Sequence, residues 1–392
     1  MEVATKLQKE TVTRIEESSP AAETKRLLSL DVFRGITVAA MILVNNPGSS
    51  PVYEPLEHAE WDGCTPTDLI FPFFLFIVGI SVTFAFARRI EQGGSQRDLI
   101  LKIIKRTLII FGIGLLMAAF PFFHLTTLRI PGVLQRIAVC YFFASLIALK
   151  TNWKTQIGII AVLLLGYWAA MKLIPVPGFG AGDLGKEGNL GAYLDRLILT
   201  QAHMWKQSKV FDPEGIFSTF PAVATTLIGV LTGKWLKMTT LAPLDRVIRM
   251  LIGGVIGIGV GLLWGHFFPL NKALWTSSYV VFCAGAALLL LAVCYWVIEI
   301  KGYKKWSVPF VIFGLNAITV FFISGMLVKL VSLWKFPRGD GKTYTLFSWA
   351  YGHLFASWLS QINASLAYAL CFDLLMLFFM WLLYRKKIFI KI

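Results

Sequence analysis

The chain alternates long apolar stretches with short polar ones. Stretches of the length a helix needs to cross a bilayer, about 20 residues, fall near 30–46, 68–87, 104–122, 131–149, 155–174, 216–233, 248–268, 275–298, 308–330 and 364–384. An eleventh candidate, Leu346–Ser360, is short and broken by Gly352 and His353. Loop charge decides whether it spans. With the N-terminus inside, the inner loops carry Arg88, Arg89, Arg97, Lys102, Lys105 and Arg106, then Lys150 and Lys154, then Lys234, Lys237, Arg246 and Arg249, then Lys301, Lys304 and Lys305. Ten spans also bring Arg385, Lys386, Lys387 and Lys391 inside, whereas eleven strand them outside. Basic residues near span ends set orientation, so ten spans are expected. Leu346–Ser360 then becomes an outer-face helix lying in the interface, with Trp349, Phe355 and Trp358 on its apolar side. The predicted fold is an all-α polytopic membrane protein of about ten transmembrane helices plus that amphipathic helix, with both termini on the cytoplasmic side.

Composition agrees. The 392 residues are 56% hydrophobic and only 15% charged, with a mean hydropathy of +0.68. A soluble domain of this size could not hide so much apolar surface. Residues 1–26 are polar, mixed in charge and without the apolar core of a signal peptide, and are expected to form a cytoplasmic tail ahead of a membrane domain at 27–392. The net charge of +15 reads as basic residues retained on the cytoplasmic side of a lipid bilayer, not as a nucleic-acid surface. The five cysteines are scattered, odd in number and form no CxxC motif, so neither a disulfide framework nor a metal site is expected.

Candidate chemistry gathers where polar residues interrupt or border the spans. The stretch from Asn45 to Pro72 contains no Lys or Arg, yet it carries Glu54, Glu57, His58, Glu60, Trp61, Asp62 and Asp68. A neighbouring carboxylate can orient the His58 ring and tune its basicity. No second histidine stands at zinc-helix spacing. Thr65-Pro66-Thr67-Asp68 reads as an N-cap, a proline at N1 and a capping-box acid; Asp68 could also orient His58. Arg34, a turn inside the first span, either pairs with Asp31 or snorkels, or holds phosphate near the inner face. Arg136 and Gln135 fall inside the fourth span behind Arg129, where buried cations mark ligand pathways. Asp212 and Glu214 stand at the mouth of the sixth span, as helix-capping residues or as ligands for a sugar or an amine. Asn271, Lys272, Trp275, Ser278 and Tyr279 form another polar, aromatic entrance. Asn316 and Asp373 are buried polar groups that need partners.

Taken in order, DVFRG, LVNN, HAEWDGCTPTDLIFPFFLFIVG, RIPGVLQRI, FDPEGI, NKALWTSSY and the tail YRKKIFIKI make a specific combination. The chain resembles the bacterial relatives of heparan-α-glucosaminide N-acetyltransferase, in the transmembrane acyltransferase superfamily, from about Lys25 to the end. It is expected to lack the lysosomal enzyme's lumenal domain and leading span, and to insert the amphipathic Tyr344–Ile362 segment before the last span. The resemblance implies residence in the bacterial inner membrane and transfer of acetyl from cytoplasmic acetyl-CoA, with no metal, to the amine of a glucosamine-type sugar on the periplasmic side. It implies that His58 is the catalytic residue and that Asn45, with Asn46 as the alternative, stands beside the thioester. Arg34, Arg88 and Arg89 would meet the CoA phosphates. His58 would act as general base in a ternary complex or as an acetyl carrier. The acceptor amino sugar could differ from heparan, and helix faces outside the bundle could pair two copies as a homodimer. Two other readings stay open: a sugar or lipid-linked-sugar transporter or flippase, suggested by Arg136 and Asp373, and an O-acyltransferase.

Overall fold

The computed structural model describes residues 27–390 except 92, 94, 239 and 338–342, and the side chains of 88–91 and 238 are outside the description as well. The expected tail at 1–26 therefore lies outside the described residues, as do the side chains of Arg88 and Arg89.

Each apolar stretch of the sequence is helical. The helices are α1 (Leu28–Asn45), α2 (Ile70–Glu91), α3 (Gln96–Ala119), α4 (Val133–Lys150), α5 (Trp153–Leu173), α6 (Leu190–Leu199), α7 (Thr219–Met238), α8 (Pro243–Gly265), α9 (Ser277–Tyr295), α10 (Val308–Leu315), α11 (Ala317–Leu333), α12 (Leu346–Leu354) and α13 (Gln361–Arg385). Local chemistry starts several of them: Ser95 accepts from the Asp98 amide, Asn152 from Thr155, and Asn189 from Ala192. Two short antiparallel hairpins, β1–β2 (Pro175–Val176 with Gly180–Ala181) and β3–β4 (Lys335–Pro337 with Thr343–Thr345), are the strands among the described residues.

Among the described residues seven helices are long and apolar enough to cross a membrane, and α10 with α11 makes an eighth if the bent pair is one span. Helices α3 and α7 have the length, 24 and 20 residues, but carry basic residues such as Lys102 and Arg106, or Lys234 and Lys237. The protein is an all-α, multi-pass membrane protein.

The span expected at 308–330 is not one straight helix. It turns by 73° at Asn316, whose side chain is occupied by the distant end of the chain: Nδ2 donates to the Ile388 carbonyl at 3.3 Å and Oδ1 accepts from the Ile390 amide at 2.9 Å. The Leu346–Ser360 segment is helical only as far as Leu354, shorter than expected, and at about 1.5 Å per residue that helix is too short to cross a bilayer, as expected. Trp349 and Trp358 are exposed, while Phe355 packs edge-on against Tyr368. The loop between α5 and α7 holds α6, which was not anticipated. Its apolar residues Leu190, Tyr193 and Leu194 join a cluster with Trp61, Tyr167, Phe217 and Phe268.

Helices α1, α2, α4 and α9 form the inner bundle, whereas α5, α8 and α13 turn large apolar side chains such as Leu165, Val255 and Leu374 outward, as lipid-facing helices do. The inner helices approach closely at glycines. A Cβ on Gly35 of α1 would stand 1.7 Å from the Phe310 carbonyl oxygen, and one on Gly79 of α2 would stand 2.0 Å from that of Thr226 in α7.

Candidate active site

The site forms where α1 ends and α2, α4 and α11 begin, beside the loops that carry His58, Glu214 and Lys272. Asn45 is exposed at the last turn of α1, while its neighbour Asn46 is buried and donates back to the Ile42 carbonyl at 2.7 Å. The following loop returns to a 3-10 turn, Pro66–Leu69, that leads into α2 and carries the expected capping box with proline at its start. Thr65 Oγ1 also donates to the Glu57 carbonyl at 2.7 Å, which ties the His58 segment to the turn.

Asp68 therefore does two jobs. Its Oδ2 accepts from the amides of Ala59 and Thr65 and from the Thr65 hydroxyl, each at 3.1 Å. Its Oδ1 faces His58 Nδ1 at 2.7 Å. The Tyr279 hydroxyl donates to the Asp68 carbonyl at 2.6 Å and fixes the backbone as well. A ring that donates Nδ1–H to a fixed carboxylate keeps Nε2 as its acceptor. Lys272 approaches from the far side of the sequence, with Nζ 3.0 Å from His58 Nδ1, 3.5 Å from Nε2 and 3.3 Å from Asp68 Oδ1. Burial lowers the pKa of Lys272, opposed by the charges of Asp68 and Glu214.

These groups open on a cavity of about 190 Å³ whose wall includes Asn45, His58, Glu214 and Lys272, and whose remaining lining is largely apolar: Met41, Phe71, Phe74, Leu134, Ile137 and Phe321 among others. The first turn of α11, Ala317 and Ile318, closes one side. A few polar residues on an otherwise apolar chamber suit a ligand with a reactive polar head and an apolar stem.

Other sequence-chosen residues support this wall or stand apart from it. Arg129 is held by Asp212, through Nε at 2.9 Å and Nη2 at 2.6 Å, and by Glu214. Burial works against its charge, but the two carboxylates outweigh that and raise its pKa. Asp212 is thereby turned inward and spent on Arg129, while Glu214 shares that guanidinium and also lines the cavity. Neither acid caps the sixth span, because α7 starts later, at Thr219; Asp212 Oδ1 instead accepts from the Glu214 amide. Arg136 is 2% exposed, donates to the Gly215 carbonyl and to Ser218, and lies over the Trp275 ring at 5.1 Å. Gln135, also buried, packs against Gly114 and Gly132. Trp275, Ser278 and Tyr279 are almost fully buried beneath the site and do not line the cavity, because they pack the top of α9 against α2 and α7. Asn271 is buried too, and bridges Asp62 at 3.1 Å and the Leu274 amide at 2.8 Å, which holds the turn that carries Lys272. Trp61 donates to the Leu184 carbonyl and packs against Phe211, which ties the His58 loop to the loop between α5 and α7. Arg34 lies eleven residues, about 16 Å, down α1 from Asn45. Its guanidinium bonds Asp31 at 3.3 Å, the Gly314 carbonyl at 3.2 Å and Ser81 at 3.0 Å.

Sequence reasoning missed Asp195, which accepts from the Ile216 amide at 2.8 Å and is pushed up to about 7 by burial, against that hydrogen bond. Asn189 followed by LGAYLDRLIL was a readable signal for a capped helix there. The aromatic wall, Phe71, Phe74 and Phe321, had no signal beyond the apolarity of the spans.

The chain matches the family described as "Heparan-alpha-glucosaminide N-acetyltransferase, catalytic" over residues 26–251. It is 32% identical to heparan-alpha-glucosaminide N-acetyltransferase of Homo sapiens, over 76% of this chain and 52% of that protein. To the Mus musculus protein of the same name it is 31% identical, over 76% of this chain and 53% of that one. The chain thus spans about half the length of the curated relatives it matches.

Proposed function

The chain belongs to the heparan-alpha-glucosaminide N-acetyltransferase catalytic family, and on that premise we propose that it moves acetyl from acetyl-CoA to the amine of a glucosamine-type sugar. The donor comes from the cytoplasmic side, and the acceptor meets it at the outer mouth of the bundle, in a bacterial inner membrane with both termini inside. The observation that carries the proposal is the Asp68–His58 pair, 2.7 Å apart, at the polar end of an apolar cavity.

An amine attacking a thioester must lose a proton, and imidazole is matched to that task near neutral pH. Asp68 accepts the Nδ1 hydrogen and leaves Nε2 of His58 to take the amine proton. The carbonyl oxygen of the thioester becomes an oxyanion that needs a fixed donor, and the exposed amide of Asn45 is on the same wall. The apolar lining accommodates the pantetheine arm. Arg34, with Arg88 and Arg89 at the inner end of α2, supplies cations for the CoA phosphates. Glu214 receives the acceptor's ammonium or hydroxyl groups, and Trp61 offers an aromatic face above it. Arg136, Gln135, Asp212 and the Trp275–Tyr279 turn hold this wall in place.

Purified protein given labelled acetyl-CoA is expected to acetylate glucosamine and not N-acetylglucosamine, and His58→Ala to remove turnover while the protein stays monodisperse. Wild-type turnover in His58→Ala would end the proposal. Transfer is direct, so protein incubated with labelled acetyl-CoA alone and then denatured should retain no label; label retained on His58 would establish the two-step route. The broken helix α10–α11 beside the cavity adds to Arg136 and Asp373 in favour of a transporter, and substrate counterflow in proteoliposomes without CoA would support that reading.

A further inference from the structure

The reaction leaves one charge without an owner. Expulsion of CoA from the tetrahedral intermediate delivers an alkyl thiolate into a largely apolar chamber, where an unpaired anion is costly. We infer that Lys272 is the general acid that protonates the departing sulfur, and that His58 then returns the proton to it. The inference rests on the proposed acetyl transfer.

Geometry carries it. Lys272 lines the cavity with His58 and Asn45. An ammonium has three hydrogens, and Asp68 Oδ1, 3.3 Å away, accepts one. His58 Nδ1, although 3.0 Å away, has already committed its hydrogen to Asp68 and presents no lone pair to a second donor. An ammonium hydrogen is therefore available to a group bound in the cavity. Lys272 is fixed by its neighbour Asn271, which is held between Asp62 and the Leu274 amide. Position 272 also lies beyond the 26–251 segment that matches the family.

The balance closes on these two residues. The amine nitrogen bonds to the thioester carbon and its proton passes to His58 Nε2. The carbon–sulfur bond breaks, and sulfur takes a proton from Lys272 Nζ to leave as the free thiol. The imidazolium is then beside a neutral amine, Nε2 to Nζ 3.5 Å, and one proton transfer restores both. The charged and titratable groups facing Lys272 are Asp68 on the turn before α2, Glu214 before α7, and His58 and Cys64 in the first loop. Burial makes the ammonium a better acid than a lysine in water, while the two carboxylates keep it protonated.

The test is a series of acetyl thioesters, acetyl-CoA plus S-aryl thioacetates of graded thiol acidity, with glucosamine as acceptor. An enzyme that protonates the sulfur responds weakly to thiol acidity. In Lys272→Met, turnover with acetyl-CoA is expected to fall about 10²- to 10³-fold and to recover to within about 10-fold of wild type with the most acidic thiol. The alkaline limb of the wild-type pH–kcat profile is expected to vanish in the variant. Lys272→Arg keeps the charge but gives up no proton at neutral pH, so it should resemble Lys272→Met. Restored turnover in Lys272→Arg, or equal sensitivity of Lys272→Met and wild type to thiol acidity, would overturn the inference. If Lys272→Met does not fold, the series on wild type still decides, since steep dependence there means that no proton reaches the sulfur. Failure of wild type to acetylate glucosamine with any donor would instead defeat the underlying acetyl-transfer reading.

Discussion

His58 shows how much a single ring depends on its neighbours. More than half of its side chain is exposed, yet its orientation is set by a carboxylate that is 1% exposed. Replacing Asp68 by Asn removes the acceptor that selects the Nδ1–H tautomer, while one oxygen remains for the Thr65 cap. Asp68→Asn is therefore expected to lower kcat by about 10²- to 10⁴-fold with little change in acceptor KM, and to cost about 1 kcal/mol of stability; steady-state kinetics and thermal melts on one preparation check both. Asp195 makes a different residue-level case. Burial raises its pKa to about 7 in the folded protein, from the ordinary aspartate value of 3.8. The folded state then binds the extra proton between those values, so the contribution is present at acid pH and is lost as pH rises through about 7. Asp195→Asn should flatten that part of the curve of melting temperature against pH between 5 and 8, and an unchanged slope would count against the assignment.

Helices in this bundle depend on where they cross. The α1–α10 crossing leaves no room at Gly35, where a Cβ would meet the Phe310 carbonyl at 1.7 Å, and backbone cannot move aside as a flexible side chain does. Gly35→Ala is expected to destabilise by about 1–3 kcal/mol, the usual cost of overpacking, whereas Gly112→Ala, which meets nothing within 4 Å, should leave the melting temperature close to wild type. The break between α10 and α11 is another element-level device. Its residue Asn316 fills a backbone site for the C-terminal segment, so Asn316→Leu should free Ile388–Ile390 and speed tryptic cleavage at Arg385, Lys386 and Lys387.

For the whole molecule, inner helices carry the site and outer helices carry the lipid contact. The basic loops of the sequence lead to the expectation that the His58 loop lies outside and the α2–α3 connection inside. In a cysteine-free background, a membrane-impermeant maleimide should label Glu60→Cys in intact spheroplasts and Ser95→Cys only after permeabilisation. The reverse pattern would place acceptor and donor on the wrong sides. Both positions are exposed, so access from the correct side is assured.

The apolar runs and their basic borders determined by themselves the helical fold class, the approximate helix positions and the polar islands between them, because chain length, hydropathy and capping act within a few residues of one another. The Thr65–Asp68 cap and the nearness of Asp68 to His58 belong to that local class. Tertiary structure alone decided that Lys272, 214 residues away, meets the same ring, that Arg129 pairs with both Asp212 and Glu214 while Glu214 also lines the cavity, and that the ninth apolar stretch bends where the C-terminal segment reaches it. Buried polar groups find partners wherever packing brings a complementary group within hydrogen-bond reach. In a bundle of crossing helices that partner is set by the packing angle and not by any spacing along the chain.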